Sequence, residues 1–380
     1  MASLISVYEP KVQPKRYDAF GGDILNDYLR IFKIECLLEM MDVWLDQLQA
    51  IPIITKNLRI PLVTHVTVNS SPLSPFLSRF LAQSDYIVCP SRFVYNEVTS
   101  VFARDIYQIE HGVDTNIFKP LPDGIKQETK RKLKIEDKEF VILTVMRNKS
   151  PLQKNFPALF HAWKMLLEEE PILKSKGVLL CLSDPFEVGS TNLVLLRDRA
   201  GLRDFVKFVW AKPTGDGSSL ELTYEGDSNG ICHNANINFS AQEMSKLYNV
   251  GDLFALSSFG ESFNLPCLES MACGLPQISA AHTTGPELVG EPKTGLLVDV
   301  CATIDNPLIT SQWIINPLSL GNCMRTLYTD EKLRKECSTN ALNFAKTLSW
   351  DKIIPKWISL FDKVDSDMMK VDYNKMRLGI

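Results

Sequence analysis

The chain has no apolar run long enough to span a bilayer, which argues against a helical membrane protein. Met1 to Pro10 lacks the basic start and long apolar core of a signal peptide, so a cytoplasmic location is expected, soluble or peripheral at a membrane. There is no C-x-x-C pair, and the nine cysteines are an odd, scattered set. Cys89, Cys181 and Cys267 lie inside apolar runs and read as buried free thiols, not as zinc ligands or disulfides. There is no excess of one charge: 41 Lys and Arg face 45 Asp and Glu, a net charge of -4, so nucleic acid is not an expected partner. No internal repeat or low-complexity tract is present. What remains, 380 residues with 45% hydrophobic and 23% charged, is an ordinary globular chain of about two domains.

The most informative stretch runs from Asp252 to Pro276. Leu253 to Leu256 is an apolar run of strand length, and Ser257-Ser258-Phe259-Gly260 reads as a turn. Pro266 suits a first helical position, because it has no N–H to lose there. Gly274 is placed to close the helix as a left-handed cap, and Pro276 prevents its continuation. Two carboxylates, Glu261 and Glu269, span the loop and the helix start with seven residues between them. A helix start attracts anionic oxygen. A carboxylate can accept from two vicinal hydroxyls, so Glu269 suits a ribose and Glu261 a second sugar. The alternative is that both are solvated glutamates.

The rest of the chain repeats strand then helix, the pattern of parallel sheets with ligand groups at strand ends. Leu4 to Tyr8 reads as a first strand. Gly21-Gly22 precedes a helical pattern through Leu25, Leu29, Phe32 and Leu37, and either lets a ligand approach the backbone or is a plain turn. Asp42 to Leu45 reads as a strand, followed by a helix to about Lys56. Ile60 to Val68 is β-rich and carries His65; Tyr86 to Cys89 and Ile106 to Glu110 follow. Asp123 to Lys138 is charged and reads as linker plus helix. Phe140 to Val145 then opens a second series and runs into Arg147 and Lys154, a candidate diphosphate clamp or a solvated basic loop. Lys212 to Asn236 reads as a surface loop or hairpin insertion, and its Cys232-His233 pair is too few ligands for a metal site. Glu287 follows Gly285-Pro286 at another helix start, and amphipathic helices run over Leu318 to Phe344 and Trp350 to Lys363.

Glu261 and Glu269, flanked by Leu256-Ser257-Ser258 and by Ala272, Gly274 and Pro276, resemble the E-x7-E motif of the retaining glycosyltransferases of family 4, glycosyl transferases group 1. Arg147 and Lys154 resemble that family's pyrophosphate-binding pair, and His65 its active-site histidine. The segments Ser84 to Ser91 and His111 to Phe118 resemble its signatures in the first domain, and Trp350 onward its segment crossing back to that domain. The resemblance covers roughly residues 60 to 360. It implies an α/β GT-B architecture: two Rossmann-like βα domains facing a cleft, the first shortened. The implied division is 1–125 for the acceptor side, 138–348 for the nucleotide-sugar side and 349–380 for the returning helix and tail. Two departures from the family pattern are the short N-terminal region and Asn264, where the family usually has Gly.

The resemblance also implies a chemistry. A hexose would move from a UDP- or GDP-sugar to an acceptor hydroxyl on a sugar, protein or lipid, with retained configuration and a front-face mechanism. Arg147 and Lys154 would neutralise the leaving diphosphate, so neither metal nor cofactor is expected. Glu269 would hold the ribose. Glu261 and the backbone of Ser262, Phe263, Asn264 and Leu265 would hold the donor sugar, aided by Gly21 and Gly22, with His65 facing it. The rival reading is a catalytically inactive GT-B subunit that binds a sugar nucleotide or a partner. A phosphorylase or epimerase on the same fold is a third.

Overall fold

The computed structural model describes residues 24–40, 50–137, 139–149, 153–234 and 237–378. The expected strand at Leu4 to Tyr8, the Gly21-Gly22 pair and the expected strand at Asp42 to Leu45 lie outside these residues. The first βα series contains α1 (Leu25–Ile31), β1 (Leu37–Glu39), α2 (Ile51–Leu58), β2 (Leu62–His65), α3 (Pro75–Leu81), β3 (Tyr86–Cys89), α4 (Arg92–Thr99) and β4 (Ile106–Gln108). Its strands form a four-stranded parallel sheet in the order β1-β2-β3-β4. Ser74 and Ser91 start α3 and α4 by accepting from Leu77 N and Val94 N, the local chemistry that ends each preceding loop. The apolar periodicity predicted α1 through Leu37. The helix stops at Ile31 instead, Lys33 turns the chain at φ +48°, and Leu37 pairs with Leu62.

α5 (Asp123–Lys132) precedes the second series. It contains β5 (Phe140–Val145), α6 (Phe156–Glu169), α7 (Leu173–Lys176), β6 (Gly177–Leu182), α8 (Leu193–Arg199), β7 (Val206–Pro213), β8 (Leu220–Tyr224) and β9 (Ile231–Cys232). It continues with α9 (Ala241–Tyr248), β10 (Leu253–Ala255), α10 (Leu265–Ala272), β11 (Gln277–Ala280) and β12 (Gly295–Val298). The parallel core of this sheet has the order β12-β11-β10-β5-β6-β7, extended antiparallel by β8 and β9, so residues 212–232 form a hairpin extension. β6 is buried along its whole length, as expected for a strand covered on both faces. Each fully buried aliphatic side chain in such a strand contributes about 1.5–3 kcal/mol. The order reverses direction between β5 and β10, and the crevice at the C-terminal ends of those two strands is the place where such sheets take ligands.

An antiparallel pair, β13 (Val300–Asn306) and β14 (Thr310–Ile315), follows β12, then α11 (Pro317–Thr329), α12 (Glu331–Thr347) and α13 (Trp350–Leu378). The last helix returns to the first sheet. Trp350 N donates to Val113 O, Lys356 pairs with Glu110, and Tyr86 OH donates to Asp367. Its Ile353, Leu360 and Val364 join the main core. Among the described residues no helix is long and apolar enough to cross a membrane, and no three His, Cys, Asp or Glu side chains cluster as a metal site. Cys89, Cys181 and Cys267 are buried free thiols, and burial pushes that of Cys89 up to about 12.

Candidate active site

The loop after β10 is built around one strained residue. Asn264 holds φ +85°, and its side-chain oxygen accepts from Cys267 N at 3.3 Å, so the departure from Gly serves as a left-handed helix cap. The helix starts at Leu265, one residue before the expected Pro266, and Gly274 follows its end at φ +89°. Glu269 is half-buried and accepts from Tyr248 OH at 2.7 Å. Burial pushes its carboxyl above the usual range, and the tyrosine bond opposes that rise. It is not the solvated glutamate of the alternative reading.

The loop after β5 meets the loop after β10 across the switch point. Lys154 Nζ pairs with Glu261 Oε1, and both side chains are about four-fifths buried (18% and 20% exposed). Ser257 Oγ donates to Lys154 O at 2.7 Å and Phe259 N to Gln153 O at 3.0 Å, which laces the two loops together. Arg147 is not in this pair. Its guanidinium lies 2.9–3.0 Å from Glu187 Oε1, on the loop after β6, and is 57% exposed. The two cations of the expected clamp are thus each held by a different carboxylate.

His65 ends β2 on the opposite wall. Its ring lies 4.8 Å from that of His111 and 6.0 Å from Trp357 of α13, and His111 lies 5.1 Å from Phe263. Its Nε2 is buried without a hydrogen-bond partner. Burial first, and His111 second, push the His65 imidazole down to about 3, so it is neutral near pH 7. Ser262 joins the walls twice: its carbonyl accepts from Ser91 Oγ at 2.7 Å, and its hydroxyl donates to Val68 O at 2.8 Å. Beside it Gly260 sits so close to Asn69 that a Cβ would lie 1.8 Å from the Asn69 carbonyl oxygen. The site therefore gathers Lys154, Glu261, Ser262, Phe263, Asn264 and Leu265 from one side and His65 from the other. Glu269 lies farther along α10, and Gly21 and Gly22 fall outside the described residues.

Sequence reasoning missed several neighbours. Glu261 N donates to Thr283 Oγ1, which lies 3.3 Å from His282 Nδ1. The His282 ring stacks on Trp313 of β14 at 5.1 Å, and Trp313 N donates to Phe259 O. Asn306-Pro307 between two β-rich runs was a usable hairpin signal for β13 and β14. Glu287 was expected at a helix start of its own. It lies in the first turn of a π-helical segment, Pro286–Gly290, as expected, and it also accepts from Arg92 N and Phe93 N at the start of α4.

Residues 197–306 match the family model described as Glycosyl transferases group 1. A D-inositol 3-phosphate glycosyltransferase of Actinosynnema mirum is 28% identical over 278 residues, 72% of this chain and 56% of that protein. The enzyme of the same name from Thermobispora bispora is 28% identical over 58% of this chain and 47% of its own length. The chain thus spans about half the length of the curated relatives it matches. Among solved structures, HepE of Anabaena in complex with UDP and glucose aligns with TM-score 0.66 at 19% identity, covering 93% of this chain and 84% of that one. Sucrose-phosphate synthase of Thermosynechococcus elongatus aligns with TM-score 0.65 at 14% identity, covering 94% and 82%. At these identities the likeness establishes the architecture, which is GT-B.

Proposed function

We propose that this chain, a relative of the glycosyl transferases of group 1 with the GT-B fold, moves a hexose from a UDP- or GDP-sugar to an acceptor hydroxyl with retained configuration. The observation that carries this reading is the juxtaposition of Lys154 with Glu261 at the switch point, with the free Nε2 of His65 on the facing wall. Curated relatives named as glycosyltransferases and a neighbour that holds UDP and glucose support it. Residues 1–125 would serve the acceptor, 138–348 the donor, and 349–380 would tie the two.

In this reading the donor diphosphate draws Lys154 from Glu261 and Arg147 from Glu187. Glu261 is then released to accept from hydroxyls of the sugar, and Glu269 from those of the ribose. The bond from the anomeric carbon to the phosphate oxygen breaks, and charge develops on that oxygen beside the two cations. The acceptor hydroxyl bonds to the anomeric carbon on the same face, and its proton passes to the leaving phosphate oxygen. Neutral His65 contributes a hydrogen bond, not a charge. Fixed cations perform the charge neutralisation that a divalent ion would otherwise supply, so activity should survive chelation.

The test is nucleotide release from a panel of UDP-, GDP- and ADP-sugars, with and without EDTA, for wild type, Glu261→Ala and Arg147→Ala. Release by wild type alone, unaffected by EDTA, supports the reading. Saturable binding without turnover on any donor or acceptor would leave the non-catalytic subunit, and a need for phosphate would indicate a phosphorylase. Product configuration by NMR tests retention.

A further inference from the structure

His282 is a polar side chain buried with an unanswered bond. It is 7% exposed, and its Nε2 has no hydrogen-bond partner. Leaving such an atom unpaired costs the desolvation of the group with no bond in return, so its retention needs a reason. The ring has little freedom. Trp313 stacks on one face at 5.1 Å with the planes 16° apart, and Nδ1 faces Thr283 Oγ1 at 3.3 Å. The same Thr283 hydroxyl accepts from Glu261 N at 3.2 Å, which ties His282 to the loop that carries Glu261. Trp313 is itself held: its N–H donates to Phe259 O, and its hairpin is pinned by Ser71 and Ser311, which exchange backbone bonds, and by Thr310 Oγ1 donating to Ser70 Oγ.

We propose that His282 is a second sugar-recognition residue, its Nε2 bonding a hydroxyl of the transferred hexose beside Glu261, with Trp313 as the residue that positions the ring. This rests on the donor reading above. A hydroxyl fits the chemistry of the two side chains: it donates to the Glu261 carboxylate, which can only accept, and accepts from a neutral imidazole N–H. An anionic oxygen would face the Glu261 carboxylate unfavourably. Burial keeps the ring neutral, pushing its imidazole down to about 4.

The experiment compares binding of UDP, UDP-glucose, GDP and GDP-mannose to wild type, His282→Phe, His282→Gln and Trp313→Ala by calorimetry, with thermal unfolding as the check on folding. For the nucleotide that wild type binds, His282→Phe should weaken the nucleotide sugar about tenfold and leave the nucleotide alone within about twofold. His282→Gln, which keeps a donor, should recover much of the loss, and Trp313→Ala should give a smaller loss of the same kind. Deoxy-sugar donors complete the test: the analogue lacking the relevant hydroxyl should bind wild type and His282→Phe equally. Equal weakening of nucleotide and nucleotide sugar, or no weakening, overturns the assignment. If wild type binds none of the four, the donor reading fails and the assignment falls with it.

Discussion

Lys154 and Glu261 form an ion pair that bridges the loop after β5 and the loop after β10, with about a fifth of each side chain exposed. Opposite charges so placed neutralise each other until a more anionic ligand arrives. Lys154→Ala should therefore lower kcat by about 100-fold or more, as removal of a fixed transition-state donor does elsewhere. It should also destabilise the fold by stranding Glu261 in a partly buried site. In the double variant Lys154→Met with Glu261→Gln, urea unfolding should show less destabilisation than the two single changes summed, with a coupling of about 0.5–3 kcal/mol. Simple additivity would mean that the pair is not coupled in the fold.

The two buried histidines make stability fall in acid. His65 is held down to about 3 and His282 to about 4, both by burial first, while the unfolded chain titrates near 6.5. Below pH 6.5 the unfolded state takes up protons that the folded state refuses, so stability is full above that pH and is lost as pH falls toward 4 for His282 and toward 3 for His65. Each histidine contributes a slope of up to about 1.4 kcal/mol per pH unit. Denaturant unfolding between pH 7 and 4.5 should show the fall, and His65→Phe should flatten it. An unchanged slope in that variant would place the linkage elsewhere.

Gly260 and Gly124 give opposite expectations for the same substitution. A Cβ on Gly260 would lie 1.8 Å from the Asn69 carbonyl oxygen, whereas one on Gly124 would meet nothing within 4 Å. Gly260→Ala must push the loop after β10 away from the segment after β2. It should lower Tm by several degrees and lower kcat more than 10-fold. Gly124→Ala, in α5, should be neutral or stabilising by up to about 1 kcal/mol. Differential scanning calorimetry with a kinetic assay reads both, and a silent Gly260→Ala would show that the close approach is not required.

Asn264 separates a backbone demand from a side-chain one. At φ +85° glycine is unstrained, so Asn264→Gly should cost only a few tenths of a kcal/mol. Asn264→Ala loses the cap to Cys267 and keeps the strain, and should cost about 1–2 kcal/mol by urea unfolding. Equal costs for the two would refute the cap.

Arg147 and Glu187 show where local reading stops. That Arg147 follows a strand end was legible, because FVILTV is a β-rich run and the basic residues come straight after it. Its partner lies 40 residues on, in a loop with no periodicity. No local pattern joins the two; the pairing of β5 with β6 does. The short helix between Asn264 and Gly274 was legible for the converse reason: a left-handed cap and a positive-φ glycine are choices made within a few residues. Leu37 is the intermediate case. It continued the apolar spacing of α1, and only its pairing with Leu62 made it a strand.

By itself the sequence determined the alternation of strands and helices and the loop that sets Glu261 before a helix carrying Glu269. Those features follow from propensity, turn chemistry and hydrophobic spacing, which act over a few residues. Only the tertiary structure decided that Lys154 meets Glu261, that His111 and Trp357 seat His65, and that β13 and β14 reach Ser70 and Ser71 while Trp313 covers His282. These contacts join residues far apart in the chain, brought together by the reversal of strand order at the switch point and by the hydrogen bonds that tie the loop after β10, the β13–β14 hairpin and α13 to the first βα series. No spacing along the chain encodes them.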